Sequence, residues 1–157
     1  AGTGSLPEIL PQDGDFHVAG NVQTAQAAMA VFLDYASTDA AKYVTEVYPQ
    51  ISEQYIGAGR LIYIFHPWAG EPESPGTQAA IAAECAGEQA KFWEMQATIF
   101  QEQKSWSAAK TPRDSFTGYA EGLWWPYVDM PRRHFVKMAV LAYGITPRYP
   151  ADPTFCM

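Results

Sequence analysis

The sequence predicts an α/β domain: a β-α-β unit followed by a long helical block. Two short apolar runs, "AMAVFLDY" and "LIYIFHPW", read as strands. Between them lies an amphipathic stretch headed by a Ser/Thr/Asp cluster, the pattern of a capped helix. Beyond the second run, helical periodicity dominates residues 77–144.

Size and composition agree with one domain over residues 1–157. A chain of 157 residues can bury a real core without disulfide or metal staples. Its 48% hydrophobic content argues against disorder. The net charge is −7 and the basic residues are scattered, which excludes the electrostatic footprint of a nucleic-acid binder and disfavours anionic membranes. No apolar run approaches the ~20 residues of a membrane span. Cys85 and Cys156 form neither C-x-x-C nor a zinc spacing, and His17, His66 and His134 are dispersed, so no metal or cofactor is expected. No signal peptide is visible, and "AGTGSLPEIL" fits either a processed or a trimmed start.

The elements follow in order. Residues 1–15, rich in Gly, Pro and acid, read as an extended lead-in. "FHVAGN" adds a short edge strand, and Gly20-Asn21 marks a turn. "AMAVFLDY" (Ala28 to Tyr35) is uninterrupted, as in a strand buried on both faces. In the next helix, Ser37 or Thr38 caps, Asp39 suits the first turn, and Ala40, Tyr43, Val44, Val47 and Ile51 form the apolar face. Pro49 should kink this helix or end its first part. "GAGR" turns into "LIYIFHPW", stopped by Pro67; the two strands should be parallel with a right-handed crossover.

"AGEPESPGTQ" is a loop. Helix starts near Thr77 and breaks near Gly87, with Phe92, Trp93, Met95, Ile99 and Phe100 as its bulky face. "SAAKTPRDS" connects to a short helix, "FTGYAEGLWW". Another helix, "DMPRRHFVKMAVLAYG", has Asp129 as cap, Pro131 in its first turn and Gly144 as stop. Residues 145–157 hold three prolines and then the start of a strand.

Three stretches carry a family resemblance. "VFLDYASTDAAKY" is similar to a strand and active-site turn of the form F-x-D-(F/Y)-x-C-P-x-C. "AAIAAECAGEQAKFWEMQATIFQEQ" is similar to A-x-x-A-x-x-C-A-x-x-Q-x-x-F-W, continued five residues later by (L/I)-F-x-x-Q; this is the most specific match. "YGITPRYPADPTF" is similar to G-(V/I)-x-G-T-P-T-F with residues inserted. The chain thus resembles the DsbA-like thioredoxin family of disulfide oxidoreductases over most of residues 20–155. The resemblance implies a thioredoxin-like fold with a helical insertion. It places the family's nucleophilic cysteine at Ser37, its resolving cysteine at Ala40 and its cis-proline at Pro153, preceded here by Asp152.

The substitutions speak against dithiol chemistry. Exchange needs a thiolate and a second thiol that resolves the mixed disulfide. A serine hydroxyl does neither, Ala40 has no chemistry, and Asp39 opposes negative charge at the helix start. Cys85 reads as a small core hydrophobe. Cys156 reads as a strand residue packed near the turn, and a Cys85–Cys156 bridge is open on sequence grounds.

Other residues carry two readings each. Ser37 is a plain helix cap, or its hydroxyl donates to a bound thiol or anion. Asp34 is a buried acid near the turn, or an acid bonded to nearby backbone. His66, ending the second strand, is a structural histidine or lies at a ligand-binding sheet edge. Trp124-Trp125-Pro126-Tyr127 is a peptide-binding patch or a roof over the helices.

A complete thioredoxin fold continues past Phe155 into a further strand and helix, so these are expected to be missing. A fragment or a tail beyond Met157 is favoured over a strand supplied by a partner, and Cys156 is expected in or beside the sheet. The reading is a redox-inactive DsbA-like domain that binds protein or extended peptide, or serves a larger complex. Ser37, Thr38, Asp39, Pro153, Trp68, Trp124 and Trp125 are its binding candidates. The alternatives are an oxidoreductase whose cysteines were replaced, and an enzyme like the kappa glutathione transferases using Ser37. By resemblance the chain works outside the cytoplasm.

Overall fold

The computed structural model describes residues 16–87 and 89–124. Three strands form one sheet: β1 (His17–Ala19), β2 (Ala27–Leu33) and β3 (Leu61–Pro67), in the order β1-β3-β2. β2 and β3 run parallel, with Ala27 opposite Leu61 and Phe32 opposite His66. β1 pairs antiparallel with β3, His17 opposite Phe65. Gly20 makes the turn after β1 at φ +114, where an added Cβ would lie 2.5 Å from the Leu61 carbonyl oxygen.

The crossover from β2 to β3 is a helical run, α1. It comprises α-helical Thr38–Lys42, a π-helical stretch Tyr43–Val47, α-helical Tyr48–Ile51 and a second π-helical stretch Ser52–Ile56. In keeping with the sequence expectation, the first part of the run ends at Val47 and a fresh α-helical part begins at Tyr48 with Pro49 in its first turn, though the helical run as a whole continues. Tyr48 N–H donates to the Tyr43 carbonyl five residues back, and this widened turn absorbs the proline just ahead.

The helical block follows: α2 (Pro75–Gly87), α3 (Phe92–Gln101), α4 (Gln103–Ser107) and α5 (Pro112–Trp124). Ser74 caps α2, its hydroxyl oxygen accepting from Thr77 N–H at 3.2 Å. The small side chains of Ala79, Ala80, Ala83 and Ala86 let α2 bury most of its surface. The break at Gly87 is as expected, and Ala90 turns the chain into α3 with a left-handed φ of 57°.

One face of the sheet packs on the helices. Tyr63 and Phe65 of β3 join Phe92, Met95, Ile99, Phe100 and Trp106 in the core, with Met29, Val31 and Leu33 of β2 packed against it. Burying Ile99 or Phe100 contributes about 1.5–3 kcal/mol each. β2 is not buried on both faces as its apolar run suggests: Ala28 and Ala30 are exposed, and Phe32 is 58% exposed. Only β3 is central among the described strands, and its Ile62 and Ile64 are buried on the opposite face. His17 ties β1 to the helices, stacked on Phe92 with its Nε2 2.8 Å from a Glu84 carboxylate oxygen.

Candidate functional site

The site is the turn between β2 and α1, at the carboxyl ends of the parallel strands. Backbone and side-chain bonds shape it locally. Asp34 Oδ1 accepts from Ala36 N–H at 2.8 Å, so its backbone-bonded reading holds. Ser37 N–H donates to the Asp34 carbonyl at 3.0 Å. Ser37 then caps α1: its hydroxyl oxygen accepts from Ala40 N–H at 3.2 Å and its carbonyl from Ala41 N–H at 3.1 Å. Thr38 and Asp39 are exposed in the first turn, while Ala40 is buried.

A second layer supports the turn from the helical block. Gln103, 6% exposed, donates from Nε2 to the Tyr35 carbonyl at 2.7 Å and to the Ser37 carbonyl at 2.8 Å. Tyr35 is fully buried and stacked on Phe100, ring centroids 4.7 Å apart. Burial holds its phenol pKa well above the ordinary value, with the Glu84 carboxylate and the Tyr63 phenol adding to the rise. Gly76, near the start of α2, touches the turn: an added Cβ would stand 2.6 Å from Asp34 Oδ1 and 3.1 Å from Ala36 Cβ. Gln103, Tyr35 and Gly76 were not singled out as site residues. Gln103 had a signal, since it fills the final position of the F-x-x-Q pattern.

The other candidates fall as follows. Trp68 N–H donates to the Leu33 carbonyl at 2.8 Å, which holds Trp68 at the same end of the sheet as the turn, 61% exposed. His66 lies between Phe16 and Phe32, ring centroids 4.9 and 5.2 Å away. Its Nδ1 is buried with no hydrogen-bond partner, so the structural bond expected of it is not made; its neighbours there are rings, which offer none. Trp124 ends α5, the helix expected over "FTGYAEGLWW". Trp125, Pro126, Tyr127, Pro153, Cys156 and the segments 1–15 and 125–157 lie outside the described residues.

Cys85 is buried and disulfide-bonded, which corrects its reading as a plain core thiol. Hence neither Ser37 nor Ala40 nor Cys85 offers a thiol to the turn. Among the described residues no three His, Cys, Asp or Glu side chains converge as metal ligands would. Among them, too, no helix is long and apolar enough to cross a membrane.

Comparison with known proteins matches the model of the family described as thioredoxin to residues 13–122. No curated protein matches the chain. Among solved structures, alpha-DsbA1 of Wolbachia pipientis is similar, with a TM-score of 0.61 and 20% identity over 91% of this chain and 76% of that one. A variant of the same Wolbachia protein gives a TM-score of 0.58 and 22% identity over 71% of this chain, which spans only 55% of that chain's length. At such identity the likeness is one of fold.

Proposed function

The chain belongs to the thioredoxin family and has the fold of the DsbA proteins, and on that premise we propose that it is a member without disulfide-exchange chemistry, used to bind an extended polypeptide. The observation that carries the reading is Ser37. It stands where the family's attacking thiol would stand and serves as the cap of α1. Its hydroxyl stays protonated at any physiological pH, and exposed Asp39 beside it disfavours an anion there. Exposed Trp68 at the same sheet end supports binding, because Trp is favoured at interfaces. The proposed groove comprises Ser37, Thr38, Asp39 and Trp68; Pro153 and Trp125, also expected in it, lie outside the described residues, and Trp124 is the last of those described.

The disulfide at Cys85 supports a place outside the cytoplasm, where such bonds persist. An insulin-reduction assay with dithiothreitol tests the first half of the proposal: turnover is expected at the uncatalysed rate, and robust catalysis refutes it. A library of extended peptides tests the second half. Binders should perturb the amides of residues 36–40 and the Trp68 indole, and weaken when Trp68 becomes Ala. Binding that ignores this turn refutes the proposed groove.

A further inference from the structure

A second site lies away from the turn, between α1 and α3. It is a cavity of about 510 Å³ lined by Val44, Thr45, Tyr48, Glu53, Trp93 and Gln96, among others. That volume is in the range of ligand-binding pockets. No residue from 34 to 40 lines it.

Three features give it a chemical character. Its aromatic walls are nearly parallel: the Tyr48 and Trp93 rings lie 7° from coplanar directions with centroids 6.5 Å apart. Gln96 is only 3% exposed, yet its carboxamide makes no hydrogen bond among the described residues. The amide atoms are not sealed from water, so a ligand entering the cavity can reach them. The third feature is a surplus of acceptors. Glu53 adds a carboxylate, and none of the described residues that line the cavity is basic.

We propose that this cavity binds the guanidinium of an arginine side chain on a partner polypeptide. A guanidinium is flat enough to stack on Tyr48 and Trp93 and carries five donors with no acceptor, which suits the Gln96 oxygen and the Glu53 carboxylate. An anion would meet Glu53 with no cation to offset it. A lysine ammonium has the charge but not the plane. The site is independent of whether the turn at Ser37 binds peptide.

The test is a titration of the intact chain with N-acetyl-arginine methylamide, followed by amide and indole chemical shifts. Saturable shifts confined to residues 44–53 and 93–97 are expected, with a dissociation constant of about a millimolar, ordinary for so small a probe. The neutral citrulline analogue should bind at least about fivefold more weakly, and the lysine analogue more weakly than arginine. Gln96→Leu should weaken arginine binding by about fivefold and Glu53→Gln by roughly threefold. No saturation overturns the proposal, and so does citrulline binding as well as arginine. Indifference to both substitutions overturns it too. Should Gln96→Leu fail to fold, the exposed Glu53→Gln and the citrulline comparison decide alone.

Discussion

Replacing Gln103 with Leu isolates the contribution of the polar clamp beneath the turn. Leucine keeps apolar bulk, so the change removes the two donated bonds without opening a large cavity. The Tyr35 carbonyl, bonded at 2.7 Å in a buried setting, is left without this donor, which costs about 1–3 kcal/mol. The Ser37 carbonyl keeps Ala41 N–H at 3.1 Å, so its loss is smaller, about 0.5–1 kcal/mol. The sum, about 1.5–4 kcal/mol, is a large share of the ~5–15 kcal/mol that holds a typical domain together. Urea unfolding should show it as a lower midpoint at unchanged slope. Gln103→Glu sharpens the test. An ionised carboxylate cannot donate to two carbonyls, whereas a protonated one can donate to one. Its folded pKa should therefore be raised above the ordinary ~4.3. That variant's stability is then fully present below the ordinary value and is lost as pH rises through the folded pKa. A loss below about 0.5 kcal/mol for the Leu variant would refute the clamp, since ordinary surface changes do as much.

Four further outcomes follow from the same structure. Gly76→Ala should destabilise by about 1–2 kcal/mol in denaturant melts, because its Cβ meets Asp34 Oδ1 at 2.6 Å while that oxygen holds Ala36 N–H; a gain in stability would contradict the close approach. Ala90→Gly should stabilise by about 0.5 kcal/mol, since the left-handed φ of 57° strains alanine more than glycine's added chain freedom costs, and calorimetry reads the sign. Tyr35 and Tyr63 have phenols raised chiefly by burial, so unfolding must precede their ionisation. Unfolded phenols release protons near pH ~10 that the folded ones keep, so stability should fall above that pH; ultraviolet titration of phenolate should show two tyrosines appearing only with unfolding. Thiol titration in denaturant without reductant should find no free thiol, as Cys85 is disulfide-bonded; two titratable thiols would contradict this.

Much of the fold was legible because it rests on periodicity. The apolar runs at Ala28–Tyr35 and Leu61–Trp68 announce β2 and β3, and the capped stretch between them announces a parallel pair. Pro49 marks a boundary within the run, as expected, but propensity alone does not announce the wider π-helical turn that precedes it. Phe32 misleads: an apolar run does not say which face a neighbour covers. Within the site, Ser37 and Asp34 were readable as cap and turn acid because those roles are local. The F-x-x-Q pattern marks Gln103 as a residue, but its bonds run across 66 and 68 positions of sequence and no spacing rule announces those partners. The amide of Gln96 is of the same kind, since a polar residue in an amphipathic helix reads as solvent-facing until a cavity wall is seen around it.

The Gln103 clamp has an evolutionary consequence. Its amide grips main-chain oxygens of Tyr35 and Ser37, and is indifferent to which side chains those positions present. A lineage can therefore exchange the residues at 37 to 40 while the loop keeps its contour. The contour of the turn is to that extent separable from whatever chemistry its side chains carry.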